Sequence, residues 1–242
     1  MIANEANQVP KIKSDKSSKI ILATHKELAR PKEDYLLKLL LDGKIREFNK
    51  IREQNGYMKL NLREVELDGR NLRGVDLRLT DLSLANLRDA NLQEANLQEA
   101  NLSSSTLEGA DLTSSKLEGA DLRSSILKSA KFAKSKLIRV CLQETNLMSA
   151  DLEGADLSFA RLIGADLEGS NLASANFTSS NLYFVNLAGS NLQNTNFKSA
   201  NLIGTNLEGA NTSGSNFEDA IIKETTGLHL SLAHDTSNIK ST

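Results

Sequence analysis

Cys141 is the only thiol in this 242-residue chain. A cysteine becomes a nucleophile or a metal ligand where neighbouring cations lower its pKa and a base stands close by. Arg139 lies two residues away, but no histidine accompanies it in sequence, so Cys141 reads as an inert surface or groove residue. His229 and His234 are five residues apart near the end of the chain. A bound transition metal needs three or four ligands at matched spacing. No such set is completed around the two histidines, which read as solvated tail residues. The recurrent Glu-Gly-Ala and Glu-Gly-Ser strings lack the lysine and spacing of a phosphate-binding loop. The sequons at Asn101, Asn176 and Asn211 recur with the same repeat that produces those strings. No catalytic, metal-binding or cofactor-binding residue is expected, and the chain reads as non-enzymatic.

Charge offers one further candidate. Arg123, Lys128, Lys131, Lys134, Lys136 and Arg139 follow one another with no acidic residue between Leu122 and Leu142. Such a belt could bind an anion, although a charge run is more often a solvated face. Phe132 is the one aromatic residue among these cations, too few to interleave for base stacking, so nucleic acid is not an expected partner. The whole chain has 29 Lys plus Arg against 31 Asp plus Glu, a formal charge of −2, which is far from the single-signed field of a generic nucleic-acid binder. Residues 60–222 carry 14 basic and 21 acidic residues, and residues 1–59 carry 13 and 8, so charge is polarised along the sequence.

What positions these residues is a repeat of five. From Leu62 to Ile222 every fifth residue is Leu, except Phe132, Phe177, Phe197, Phe217, Thr212 and the final Ile222. Two residues before each of these centres, from Val75 to Ala220, stands Ala, Ser, Thr or Val. The residue between is mostly Asn or Asp, as in Ala95-Asn96-Leu97 and Ala155-Asp156-Leu157. A period of five matches neither a helix nor a strand, so the chain must turn at regular intervals to keep its leucines on one side. Centre and small residue then point inward. Asn and Asp suit the segment beside a corner, because their short side chains bond nearby backbone. In the stretch with Ile126, Lys131, Lys136 and Cys141 at the Asn/Asp position, that corner bonding is not expected.

The tandem A(D/N)LXX pattern over residues 60–224 resembles the pentapeptide-repeat family. The resemblance implies an all-β solenoid, a right-handed quadrilateral parallel β-helix with four repeats per coil, about eight coils in all. Some members of that family resemble duplex DNA and protect type II topoisomerases from quinolones. Others, abundant in cyanobacteria, modulate regulators by protein contact. The fold alone decides none of this.

Four segments are expected: a mostly disordered basic leader at 1–30, a helical hairpin at 31–59, the repeats at 60–224 and a tail at 225–242. In the hairpin Leu36, Leu39 and Leu40 share one stripe, as do Ile45, Phe48 and Ile51, and Gly43 and Gly56 stand where helices end. It would cap the open first coil, since a solenoid end exposes apolar surface and unpaired backbone. No run approaches the roughly 18 apolar residues of a membrane span, and a cytoplasmic location is expected from the single cysteine and the polar start.

If residues 20 apart lie above one another, Ile163, Tyr183 and Ile203 form an outward column with Phe184 beside Tyr183. Contiguous exposed apolar area with aromatics marks interaction sites, so these four are the candidate partner-binding residues. The expected function is a regulatory or scaffolding protein that docks another protein on this strip. The alternative is a topoisomerase-binding DNA mimic, and a homodimer through the C-terminal coils is left open.

Overall fold

The computed structural model describes residues 33–228 and residue 239. The expected leader at 1–30, His229 and His234, and most of the expected tail lie outside the described residues.

Two short helices come first, α1 (Glu33–Leu41) and α2 (Ile45–Gln54). Glu33 and Asp34 in the first turn of α1, and Lys38 in its last, complement the helix dipole. Both helices end in the same way. Gly43 takes φ +69°, its N–H bonds Leu40 O and that of Lys44 bonds Leu39 O; Gly56 takes φ +65° with the equivalent pair to Glu53 O and Arg52 O. This is the left-handed glycine closure that satisfies otherwise orphaned helix carbonyls. Leu36, Leu39, Leu40 and Phe48 are buried, and Ile45 and Ile51 pack half-buried against the same core.

From Leu60 onward the chain coils. β1 (Leu60–Asn61) pairs in parallel with β2 (Thr80–Asp81), Leu60 opposite Thr80. The same 20-residue offset continues as single parallel bridges from Glu66 with Asn86 to Asn206 with Thr226. Four five-residue sides therefore make one coil. The interior is filled by the centres and by the small residues two before them. Leu67 through Leu207 are fully buried wherever leucine is the centre, and Phe177, Phe197 and Phe217 stack at 5.3 and 5.1 Å between ring centroids. Burying each leucine stabilises by about 1.5–3 kcal/mol, which is why the centre varies so little.

Backbone donors account for the rest of the pattern. In the first repeat, Leu62 N–H bonds Asp81 O and Glu64 N–H bonds Ser83 O, both in the next coil. Val65 N–H closes the turn on Leu62 O, and Asn86 N–H reaches back to Val65 O. The remaining donor, on the residue after the centre, faces outward, and the Asn or Asp side chain takes it, as Asn61 Oδ1 does from Arg63 N–H at 3.1 Å. The second residue after the centre adopts a left-handed φ near 55–72° whether or not it is glycine. Glycine at that position eases the turn and is not required by it.

The helices close the first coil through side chains that stand in for a preceding coil. Asn61 N–H bonds Glu33 Oε1 at 3.1 Å, Asp76 N–H bonds Asn49 Oδ1 at 2.8 Å, and Asn49 Nδ2 donates to Gly74 O at 2.8 Å. Arg52 is buried, and its guanidinium donates to the carbonyls of Met58 and Arg78. Those N–H groups, and Arg78 O, are ones that an earlier coil would otherwise pair. Desolvation lowers the Arg52 pKa, opposed by Asp76.

Candidate protein-binding surface

The 20-residue register places the expected strip on three successive coils. Gly164 N–H bonds Tyr183 O at 3.0 Å and Phe184 N–H bonds Ile203 O at 2.9 Å, which ties Ile163, Tyr183 and Ile203 into one column. Tyr183 is 39% exposed and Phe184 53%, whereas Ile163 and Ile203 are half-buried on the same face. The rings of Tyr183 and Phe184 meet edge to face, centroids 4.4 Å apart at 87°, an arrangement that the ring quadrupoles favour. Phe184 lies over Gly204, where a Cβ would come within 2.7 Å of the ring. The lack of a side chain there lets an exposed aromatic lie down on backbone.

A further exposed aromatic was not singled out from the sequence. Phe159 is 52% exposed, with the Arg139 guanidinium 5.7 Å from its ring centroid. The chain runs from Phe159 through Arg161 to Ile163, so Phe159 borders the strip from the preceding side of the coil. Its column holds Gly119, Arg139, Ser179 and Ser199, and a search for stacked apolar residues passes over an isolated one.

The basic belt is not brought together. Its 17-residue span passes around most of one 20-residue coil, so the six cations are spread over all four sides. Arg123 is committed to Asp121, with Nε at 2.8 and 3.0 Å and Nη2 at 2.5 Å from the carboxylate. These hydrogen bonds hold the Asp121 carboxyl below the usual carboxylate range, against burial. In the backbone pairing Lys131 lies between Asp111 and Asp151, and Lys136 between Lys116 and Asp156.

Cys141 is half-buried, and the guanidinium at its sulfur comes from Arg161, Nη2 to Sγ 2.7 Å. The sequence neighbour Arg139 is turned to Phe159 instead. The 20-residue register would have identified Arg161, since 141 and 161 share a column. Among the described residues no group of three His, Cys, Asp or Glu side chains is placed to hold a metal ion. One cleft of about 560 Å³ lies where α1 meets the first coil, lined by charged residues such as Glu33, Arg63 and Arg70 over Leu37 and Val65. No helix among the described residues is long and apolar enough to cross a membrane.

The family model for pentapeptide repeats matches eight copies within residues 61–219. No curated protein matches the chain. Among solved structures, it is similar to HetL, a pentapeptide repeat protein involved in heterocyst differentiation regulation from the cyanobacterium Nostoc sp. strain PCC 7120. That match has 31% identity over 75% of this chain and 91% of HetL, TM-score 0.46. Full-length QnrB1, a plasmid-mediated fluoroquinolone resistance protein, matches with 15% identity over 76% of this chain and 91% of its own, TM-score 0.60. A pentapeptide repeat protein from the Arabidopsis thaliana thylakoid lumen is 32% identical over 39% of this chain and 66% of its own, TM-score 0.38. The likeness to QnrB1 is one of fold.

Proposed function

The chain belongs to the pentapeptide-repeat family, and from that premise we propose that it is a non-enzymatic, cytoplasmic protein whose stack of about eight coils docks a partner protein on the face of Ile163, Tyr183, Phe184 and Ile203. The observation that carries this reading is the exposed Tyr183–Phe184 pair, held edge to face beside two isoleucines of the adjoining coils. Aromatic anchors on a rigid support are the residues that dominate interface energies, and here the support is backbone paired on both sides. Packing on leucine leaves the coil interior no room for a substrate, so the outer walls are where recognition takes place.

Surface charge lends no weight to a duplex-DNA mimic, because residues 60–222 carry 14 cations beside their 21 anions, and six of those cations encircle one coil. Affinity capture with the full chain tests the proposal, using Tyr183→Asp and, on another side, Gln193→Asp. A partner retained by the wild type and by Gln193→Asp but lost with Tyr183→Asp supports it. Partners indifferent to Tyr183, together with quinolone protection in a gyrase supercoiling assay, would favour the mimic instead.

A further inference from the structure

The coil spacing sets which backbone can lie along the strip. In the same coils the stacked rings of Phe177, Phe197 and Phe217 are 5.3 and 5.1 Å apart, so Ile163, Tyr183 and Ile203 present one apolar group about every 5 Å, close to the strand spacing of about 4.8 Å. An α-helix brings a side chain back to the same face every turn, about 5.4 Å, and seven of its residues span about 10.5 Å. Two coil spacings cover nearly the same length. An extended strand repeats a face only every two residues, about 6.7 Å, and would be roughly 3 Å out of step by the third contact. Only the helix stays in register with all three residues.

The relief beside the column fits the same occupant. Phe184 stands between Gly164 and Gly204 in its own column, and its ring is laid toward Gly204. On the other side Gly164 is exposed and φ is +67°. A shallow notch floored by backbone is left there, bounded by Ile163, Phe184 and Glu144, whose Cγ is 3.9 Å from where a Cβ of residue 164 would sit. A helix seats its side chains in such gaps between ridges. In this column the exposed Glu144 and Glu224 flank the stretch from Gly164 to Gly204, and the exposed Arg161 lies on the opposite flank of Ile163.

We infer that the strip receives an amphipathic α-helix of a partner protein, laid along the stacking direction. Its apolar residues at i, i+3 or i+4 and i+7 meet Ile203, Tyr183 and Ile163, and one of its side chains enters the notch at Gly164. The helix carries cations on its Glu144 and Glu224 edge and acidic groups toward Arg161. From Glu144 to Glu224 is four coils, about 20 Å at strand spacing, which a helix of about 14 residues covers. This inference rests on the strip being the docking face.

Two displayed peptide libraries panned against the full-length chain separate the two claims. One library holds apolar residues in helical register, the other in strict alternation, at equal composition. Helical-register peptides should enrich. Their affinity should fall roughly tenfold or more with Tyr183→Asp or Ile203→Lys, as for loss of an interface anchor, and by less with Gly164→Asn, which fills the notch with a residue that tolerates positive φ. Gln193→Asp should leave it unchanged, and circular dichroism should show all four variants folded. Enrichment of alternating peptides that depend on Tyr183 would overturn the helix and leave the docking face standing. If neither library yields a binder sensitive to Tyr183 or Ile203, both claims fall.

Discussion

The coil around residues 126–141 and the coils from residue 151 onward share a core and differ in everything outside it. In the later coils the Asn/Asp positions form continuous side-chain ladders. Asn171 Nδ2 donates to Asp151 Oδ1 and Asn191 Nδ2 to Asn171 Oδ1, at 3.0 and 3.1 Å, and parallel series run from Asp156 to Asn196 and from Asp166 to Asn206. Each donation points to the preceding coil, so a carboxylate, which only accepts, serves as the first rung. Two Asp residues are never stacked. In the earlier coil Ile126, Lys131, Lys136 and Cys141 hold these positions, and none of them accepts the outward N–H two residues on; the Cys141 sulfur takes the Arg161 guanidinium instead. Yet the parallel bridges pass through all four without a break. Backbone pairing and buried leucines sustain a coil by themselves, and the amide ladder is an addition to them.

The largest test of that difference is made in the core. Leu137 belongs to the irregular coil and Leu157 to the regular one above it, on the same side, and both are fully buried. Truncating either to Ala should cost about 2–5 kcal/mol in denaturant unfolding, by lost transfer energy and the cavity left behind. Similar losses at the two sites are expected, since the core is the same. A much greater loss for Leu137→Ala would mean that the ladder shares the burden of holding the coil.

A smaller effect, of opposite sign at two places, isolates the ladder. Asn176 donates to Asp156 Oδ1 and accepts from Thr178 N–H, the Thr178 hydroxyl and Asn196 Nδ2. Asn176→Ala should destabilise by about 1–2 kcal/mol, a few half-exposed hydrogen bonds at their modest net value. Ile126 is 44% exposed and lies between Thr106 and Asn146. Ile126→Asn should stabilise by roughly 0.5–1 kcal/mol, because it supplies an acceptor for both Asn146 Nδ2 and Lys128 N–H. If thermal denaturation shows no gain for Ile126→Asn, the ladder's value depends on its being continuous.

Spacing made a regularly turning chain legible, and the family resemblance supplied four repeats to a coil. Leucine at every fifth residue excludes helix and strand and forces a turn per repeat, and the register of 20 then assigns neighbours that no local reading could, such as Tyr183 between Ile163 and Ile203. The hairpin was legible from its stripes and glycines. What stayed hidden is what depends on side-chain reach across coils. Arg52 lies on a helix face that reads as charged, but it is buried where its guanidinium serves the carbonyls of Met58 and Arg78, and the first-coil carbonyl of Arg78 lacks a donor only once the open edge exists. Phe159 has no apolar neighbour 20 residues away, so its pairing with Arg139 leaves no periodic trace. The belt from Arg123 to Arg139 reads as one patch in a line of text and as four separate sides once the chain coils.

The smallest expected effect concerns how the irregular coil compensates at its border. Asp121 shares a column with Cys141 and Arg161, where no amide stands above it, and the Arg123 guanidinium takes its carboxylate instead. Its pKa is lowered first by that hydrogen bond, with burial opposing and the Arg123 N–H and charge adding. A carboxyl depressed in the folded state contributes stability that is fully present above its unfolded value, about 3.9, and is lost as pH falls through the lower folded value. Asp121→Asn keeps the oxygen that accepts Arg123 N–H and removes the charge. The variant should therefore melt slightly below the wild type at neutral pH, and the gap should close as the pH drops below 4. The effect is small because Arg123 is solvent-exposed and its pairing is screened. A gap that persists unchanged in acid would show that charge does not replace the missing amide, leaving the buried leucines and the backbone ladder as the main ties between this coil and its neighbours.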